Sequence, residues 1–425
     1  MNILVTGANG FVAREIINRL VSLGHHVIGC VRNRESCVIE NDNVRIIQTD
    51  FQSNTEKSNW LPFLLKSNID VVINCVGVFQ TLTSKAMWDI HYNAPRALFD
   101  ACQEVGIKKI IQISALGVDK SDVDYAKSKL SAETYLQSLN IDSVIIRPSF
   151  VYGKGSYGGS SLFRGLAALP FFIFLPGGGQ QLLQPVHVHD LVTVVEKSLD
   201  LSGKQLLCAV GSEKLSLQSL LNKMRAWLGF KKAINIKVPL FLIKLSAKFG
   251  DFFRNAPLST TGVKLMVIDN VVTDQAFDQL KNTVGFAPRS FTDGLNEMTS
   301  SVQDRWHARL FFLRPLLRLS IAYIWIVSGI GSLWVGLSQT FPPNFGHLPI
   351  AMISAGIMEI LLGLVVLCNY RLKIVGSIQV FLMIISTIIS FISPTSYWSY
   401  AFGMLTFNIL LFFATLVMMA LESDR

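Results

Sequence analysis

Charge is scarce in this chain. Only 16% of its 425 residues are charged, half are hydrophobic, and mean hydropathy is +0.42. A disordered chain needs the opposite balance and is excluded. Cysteine is also sparse: six residues, at 30, 37, 75, 102, 208 and 368, with no CxxC spacing. That excludes a disulfide framework, offers no metal-ligand pattern, and reads as a reduced, cytoplasm-facing chain. Fourteen prolines and thirty glycines are too few for collagen-like or low-complexity classes. Lys and Arg exceed Asp and Glu by 38 to 29, yet no basic run extends beyond a few residues, so nucleic acid is not an expected partner. The amino terminus lacks a basic n-region and a cleavage site; a strand is expected there, not a signal peptide.

The scarcity of charge is uneven. From Leu319 to Leu421 only Glu359, Arg371 and Lys373 are charged. Four apolar runs fill this stretch, at 316–337, 348–368, 372–392 and 398–421. Each is near the ~20 residues that cross ~30 Å of hydrocarbon. An all-α, four-span membrane domain is expected over 306–425. Arg305, Arg309, Arg314 and Arg318 crowd the first span, and Arg371 and Lys373 mark the second loop. The loops at 338–347 and 394–397 carry no Lys or Arg. The positive-inside rule then predicts a multi-pass protein of the cytoplasmic (inner) membrane, with the amino-terminal domain and the carboxyl terminus in the cytoplasm.

The remainder alternates strands with helices. Apolar strand-like runs at 2–6, 26–31, 44–48, 70–75, 108–113 and 142–147 are separated by helical patterns, clearest at 84–105 and 125–139. The fold expected is α/β: a doubly wound parallel sheet over 1–150, followed by a substrate-side region over 151–305. Gly7-Ala8-Asn9-Gly10-Phe11-Val12-Ala13 joins the first strand to the first helix. Gly7 serves the tight turn, and Gly10 lets backbone approach a pyrophosphate at the helix N-terminus. Asn9, Phe11 and Val12 complete the cofactor-facing loop. The third glycine of such loops is replaced by Ala13. After the second strand comes Arg32-Asn33-Arg34, with no acid to bind a ribose 2′-hydroxyl. NADP(H) is therefore expected over NAD(H), with Arg32 on the 2′-phosphate; the alternative for Arg32 is a solvated surface position.

Ser114 follows the fifth strand, and Tyr125-Ala126-Lys127-Ser128-Lys129 comes eleven residues later. Tyr125 and Lys129, at i and i+4, share a helix face. An ammonium near a phenol is expected to lower the phenol's pKa for proton transfer near neutral pH, while Ser114 positions a carbonyl or alcohol.

These pieces make residues 1–300 resemble the short-chain dehydrogenase/reductase superfamily, extended or atypical branch. The motifs are Thr6-Gly7-Ala8-Asn9-Gly10-Phe11, Asp50-Phe51, Asn74-Cys75-Val76-Gly77, Ser114/Tyr125/Lys129 and Arg147-Pro148-Ser149. Ser114-Ala115-Leu116-Gly117 and Gln184-Pro185-Val186-His187-Val188-His189-Asp190 resemble the group that includes the NADPH-binding accessory subunit of respiratory complex I and epimerase-like relatives. The resemblance implies that Asp50, with Phe51 beside it, contacts adenine and that Asn74, Val76 and Gly77 line the cofactor channel. It further implies that Lys129 also holds the nicotinamide ribose and that Pro148 lies near the nicotinamide. Gly356-Ile357-Met358-Glu359 and the Arg318–Gly331 stretch resemble DoxX-like membrane modules.

Two features bear on substrate. The run Leu166–Pro176 reads as a buried lid; the alternative is that Phe171, Phe172 and Phe174 meet lipid. Residues 239–253 read as an amphipathic basic helix, packed on its own domain or lying at a membrane surface. Glu359, inside the second span, is either a functional acid, with His347, Ser328 or a quinone-like headgroup as its partner, or a protonated acid bonded between helices. His187, His189 and Asp190 are expected to pack and cap a helix. The expected function is a membrane-anchored NADP(H)-dependent oxidoreductase acting on a carbonyl or alcohol of an apolar or lipid-linked substrate: a quinone precursor, isoprenoid or sugar-lipid. An epimerase or dehydratase is a variant of it. The alternative is a non-catalytic NADPH-binding subunit of a respiratory or quinone-linked membrane complex.

Overall fold

Six of the seven strands of the main sheet come first: β1 (Asn2–Thr6), β2 (His26–Val31), β3 (Val44–Gln48), β4 (Val71–Asn74), β5 (Lys109–Ile113) and β6 (Asp142–Pro148). Short pairs follow: β7 (Val151–Tyr152) with β10 (Val186–His187), β9 (Leu182–Leu183) with β12 (Leu215–Ser216), and β8 (Phe172–Pro176) with β13 (Ile234–Val238). The remaining strand, β11 (Lys204–Ala209), completes the sheet in the order β11-β6-β5-β4-β1-β2-β3, all parallel. The computed structural model describes residues 1–35, 37, 39, 41–79, 81, 83–251, 259–338, 348–392 and 398–422.

The first eight helices are α1 (Phe11–Ser22), α2 (Leu61–Ser67), α3 (Ser84–Trp88), α4 (Ala94–Val105), α5 (Asp124–Ser138), α6 (Gly159–Ala168), α7 (Val188–Ser198) and α8 (Leu217–Trp227). Then come α9 (Leu240–Gly250), α10 (Thr260–Met266), α11 (Asp274–Val284) and α12 (Phe291–Glu297), and finally α13 (Val302–Ser338), α14 (Leu348–Leu367), α15 (Leu372–Ile392) and α16 (Trp398–Ala420). One compact unit runs from Met1 to Asp251 and on through Arg309; a second begins at Leu310.

The strands are Val/Ile-rich because both faces of the sheet are covered. Ile3, Val5, Ile73, Ile111, Val144 and Ile146 point to one face, against Ile16, Ile17 and Leu20 of α1 and Leu191, Val194 and Val195 of α7. Leu4, Val72, Ile110 and Ile145 point to the other, against Leu64 of α2, Leu98 of α4 and Leu136 of α5. The strand order reverses between β1 and β4, and the crevice at their carboxyl ends is where open α/β sheets receive ligands.

The helix expected over 84–105 is divided. A π-helical segment, Asp89–Asn93, separates α3 from α4. Pro95 explains it: proline has no N–H for the His91 carbonyl and its ring crowds that carbonyl, so the turn widens there. The run Leu166–Pro176 is not a buried lid either. Helix α6 ends at Ala168, Phe171 turns the chain in a left-handed conformation (φ +64°), and β8 begins at Phe172. Ile173 and Leu175 are buried while Phe171, Phe172 and Phe174 are exposed, the alternation of a one-sided strand.

Three helices among the described residues are long and apolar enough to cross a membrane: Val302–Ser338, which begins in the first unit, and Pro349–Leu367 and Leu372–Ile389 in the second. The apolar described part of α16, Leu405–Ala420, is shorter. The loops at 339–347 and 393–397, on which the predicted orientation partly rests, lie outside the described residues, as do His347, Phe252 and Phe253.

Candidate functional site

The glycine loop opens α1 at the crevice. Gly7 has φ +67°, and a Cβ there would lie 3.3 Å from the Cα, N and Cγ2 of Val76. The Gly10 N–H donates to the Gly7 carbonyl at 2.8 Å and the Ala8 N–H to the Cys30 carbonyl at 2.9 Å, which ties the loop to β2. Gly10 caps α1 without a side chain, so the first-turn N–H groups of Phe11, Val12 and Ala13 keep their capacity to bind anions. Ala13 is fully buried; its methyl fills the core beneath the loop, where the replaced glycine would have left space. Tyr157 donates to the Asn9 carbonyl at 3.0 Å and meets Phe11 edge-on at 6.4 Å, while Val12 packs on the sheet core.

Arg32 is exposed immediately after β2, and Asp50 lies two residues beyond β3, where the Thr49 N–H donates to the Val31 carbonyl at 2.8 Å. The Asp50 carboxylate accepts the Gln52 N–H at 3.1 Å, an Asx turn, and Phe51 is buried edge-on against Trp60 at 5.3 Å.

Asn74 ends β4 and is wholly buried. It accepts from Thr6 Oγ1 at 2.5 Å and the Val76 N–H at 3.3 Å, and donates to Gln112 Oε1 at 2.8 Å. These bonds lock the ends of β1, β4 and β5 together and shape the turn through Val76 and Gly77. Asn74 is thus a buried scaffold residue, while Val76 is half-buried and Gly77 exposed on the turn that follows it.

Lys129 is the hub of the other wall. Its Nζ donates to the Ile113 carbonyl at 3.3 Å, at the peptide joining β5 to Ser114, and lies 5.7 Å from the centre of the Tyr125 ring. A Cβ on Gly77 would lie 3.4 Å from that Nζ and 3.8 Å from His91 Nε2. Helix α5 is aligned by Glu133, one turn after Lys129, which takes Arg147 of β6 through paired bonds of 2.6–3.1 Å; Arg147 also reaches Asp119 at 2.9 Å. Arg147 and Pro148 are buried along β6, and the Pro148 carbonyl accepts the Leu116 N–H at 2.8 Å. Ser114 is buried with its Oγ lacking a hydrogen-bond partner among the described residues. An orphaned hydroxyl at the end of β5 and a left-handed glycine turn packed tightly on Val76 both fit a dinucleotide with a substrate beside it.

The expected lowering of the Tyr125 pKa is reversed. The ring is buried, stacked on Phe79 at 4.8 Å, and burial pushes the phenol upward. It is Lys129 whose pKa falls, from 10.5 to about 8, because burial penalises its ammonium more than Glu133 rewards it. The i, i+4 spacing correctly put both groups on one face of α5; their dielectric surroundings come from β4, β5 and the Phe79 loop.

His91 has no counterpart in the motif reading. The Val78 N–H donates to its Nε2 at 3.0 Å, so the ring proton sits on Nδ1, 3.3 Å from Ser128 Oγ; Ser128 donates to the Tyr125 carbonyl at 3.2 Å. Burial, with Lys129 adding repulsion, holds His91 well below its ordinary pKa, so it is a neutral strut between the Gly77 loop and α5. A single histidine in a helical stretch gives no pattern to detect. Cys75, also near Lys129, is pushed up to about 12 by burial and stays a thiol. His187 caps α7, its Nδ1 accepting the His189 N–H at 3.2 Å, and Asp190 binds the backbone and guanidinium of Arg289 at 2.9–3.1 Å.

Residues 7–163 match a family described as NAD(P)H-binding, and residues 322–416 match the DoxX-like family. The chain joins an NAD(P)-binding domain of the short-chain dehydrogenase/reductase type to a DoxX-like domain. It is 28% identical over 210 residues to NADH dehydrogenase (ubiquinone) 1 alpha subcomplex subunit 9 of Rattus norvegicus, covering 47% of this chain and 54% of that protein. It is 23% identical over 189 residues to the ceramide reductase of Caulobacter vibrioides, covering 44% and 57%. The chain therefore spans about half the length of these curated relatives. UDP-glucose 4-epimerase of Thermotoga maritima superposes with a TM-score of 0.53 at 18% identity, over 69% of this chain and 96% of that one, a likeness of fold. The amino-terminal domain is NAD(P)-binding, and the DoxX-like helices associate the protein with a membrane.

Proposed function

We propose that this protein is a membrane-anchored NADP(H)-dependent oxidoreductase that interconverts a carbonyl and an alcohol on an apolar or lipid-linked substrate. The observation that carries the reading is the position of Lys129, bonded to the carbonyl before Ser114 and set beside both the Tyr125 ring and the Gly77 turn. A nicotinamide dinucleotide bound in the crevice supplies the hydride for reduction and takes it up in oxidation. Gly7, Gly10 and the first turn of α1, with Asn9, Phe11 and Val12, hold its phosphates. Arg32 holds a 2′-phosphate, Asp50 and Phe51 flank the adenine, Val76, Gly77 and Pro148 border the nicotinamide end, and Lys129 binds its ribose.

Ser114 Oγ donates to the substrate oxygen. Tyr125 delivers a proton to that oxygen in reduction and removes one in oxidation. A buried phenolate is costly, and the Lys129 ammonium offsets that cost by direct charge pairing. Phe79, stacked on the ring, keeps bulk water from the proton path. The ceramide reductase relative supports a lipid carbonyl or alcohol as substrate, and the apolar helices support substrate supply from the bilayer. In this reading the membrane is the cytoplasmic one, with the amino-terminal domain and carboxyl terminus inside, where the arginines at 305–318 and Arg371 and Lys373 face anionic headgroups.

Tyr125→Phe is the direct test. Turnover is expected to fall by about 10²–10⁴-fold while NADPH affinity holds; turnover at the wild-type rate removes Tyr125 from the reaction. The complex I relative favours a second reading, a non-catalytic NADPH-binding subunit of a respiratory or quinone-linked complex. That reading requires a cofactor that neither exchanges nor is oxidised by any carbonyl or quinone, and a co-purifying partner.

A further inference from the structure

The β8–β13 ribbon, the turn before it and α9 carry seven exposed large apolar side chains, a local concentration that scattered surface residues do not explain. Phe171 is 76% exposed, and Phe172 and Phe174 follow it on the open side of β8. Ile234, 65% exposed, pairs with Phe172 in the parallel register of β8 and β13. Helix α9 adds Phe241, 67% exposed, with Leu242 and Leu245.

The buried Arg225 side chain donates to the carbonyls of Ala167 and Leu169 at 2.8 Å and of Lys231 at 2.5 Å, which ties the chain entering the Phe171 turn to the segment entering β13. The Ile234 N–H donates to the Phe171 carbonyl at 2.9 Å. Phe171 keeps its left-handed backbone, φ +64°, a conformation that a bulky residue adopts only where its surroundings impose it.

Charge selects the occupant. Residues 228–250 contain five lysines, at 231, 232, 237, 244 and 248, and no Asp or Glu; all five are exposed. Exposed aromatic and leucine side chains, in a segment whose charges are all lysines able to reach to phosphate, have the composition of an interfacial membrane contact. The same chain carries its own membrane-crossing helices, so a bilayer is present at high effective concentration.

We propose that the Phe171 turn, the β8–β13 ribbon and α9 form a lipid-contacting platform that inserts into an anionic headgroup layer. Helix α9 packs on α10, and Leu265 of α10 packs against the cluster containing Tyr125, Val118 and Val123. The platform is thus one helix removed from the Tyr125 wall. Its use as an entry route for an apolar substrate rests on the function proposed above; the lipid contact itself does not.

The test uses the full chain in nanodiscs of phosphatidylcholine, alone or mixed with phosphatidylglycerol. Photoreactive benzoylphenylalanine replaces Phe171 or Phe241, with Leu65 as an exposed control away from the platform and Leu337 as a control inside α13. Phospholipid adducts read by mass spectrometry are expected at 171 and 241 well above Leu65. Yields should be higher with phosphatidylglycerol and reduced several-fold by Lys244→Glu with Lys248→Glu. Yields at 171 and 241 no better than at Leu65, with Leu337 adducts intact, overturn the proposal. Crosslinks into a second copy or another protein do so as well, and equal yields in both bilayers overturn the anionic preference. None of these readouts requires turnover, so failure of the platform is distinguishable from failure of the Tyr125 assignment. Phe171→Ser with Phe241→Ser then tests the route: turnover of a long-chain substrate should drop while that of a short soluble analogue persists, and equal effects on both reject it.

Discussion

Glycine does different work in the two units. In the α/β unit Gly7 supplies a left-handed turn, where a side chain would press on Val76 and crowd the proposed phosphate site. In the membrane unit Gly329 and Gly356 are helical, and their role is contact. A Cβ on either would lie 2.6–2.7 Å from the carbonyl oxygen of the other, so only glycine lets α13 and α14 touch backbone to backbone. Gly336 and Gly363 extend that seam against Ile353 and Ile326. Polar groups differ in the same way. Asn74, Gln112, Arg147 and Glu133 form satisfied networks that position the site. Gln379 of α15, wholly buried, has neither amide atom bonded among the described residues, and Glu359 accepts from Ser332 Oγ at 3.4 Å, a partner outside the sequence candidates. Water-facing folds spend buried polarity on positioning; an apolar bundle leaves little to pair with it.

Four experiments press on this contrast. Gly7→Val should have the largest effect: NADPH affinity falls by more than about 100-fold, since strain of about 1–3 kcal/mol adds to the blocked phosphate site. Isothermal titration measures it, and a near-normal affinity would show that the cradle is not the phosphate site.

Lys129→Met comes next. The folded pKa, about 8, lies below the ordinary 10.5, so below pH 8 the buried ammonium costs up to ~3 kcal/mol. Between pH 8 and 10.5 the unfolded chain holds the extra proton, so this cost is relieved as pH rises. The cofactor-free variant should therefore be more stable than wild type at pH 7, and the difference should shrink by pH 10. Denaturation of both proteins at the two pH values decides it; a pH-independent difference refutes the assigned titration.

Gly356→Leu should destabilise the membrane unit by about 1–3 kcal/mol through overpacking against Gly329 and Leu333, with NADPH affinity unchanged. A matching loss of affinity would break the separation between the two uses of glycine. Arg32→Ala is the smallest: about tenfold weaker NADPH binding, the worth of one charge-assisted contact, with NADH binding unaffected. Equal effects on both dinucleotides return Arg32 to the solvated surface.

Much of this was legible in the residues. The strands at 2–6, 26–31 and 44–48 fall where the apolar runs do, because a sheet covered on both faces demands unbroken Val/Ile segments. The glycine loop, the helix carrying Tyr125 and Lys129, and the apolar helices follow from local spacing and composition. Less legible were features made by remote neighbours. Pro95 forced a π turn that brought His91 under the Gly77 loop, and Arg225 fixed an exposed Phe171 turn that local hydrophobicity suggested was buried.

The sequence by itself determined a dinucleotide crevice ahead of a membrane-associated helical domain, since both are written in short-range patterns: a glycine turn between strand and helix, and uncharged runs of membrane length. Only tertiary structure decided the electrostatics. Both Tyr125 and Lys129 leave their ordinary pKa, one upward and one downward, because each keeps little water, and that is set by β4, β5 and Phe79, segments up to fifty-eight residues away in the chain.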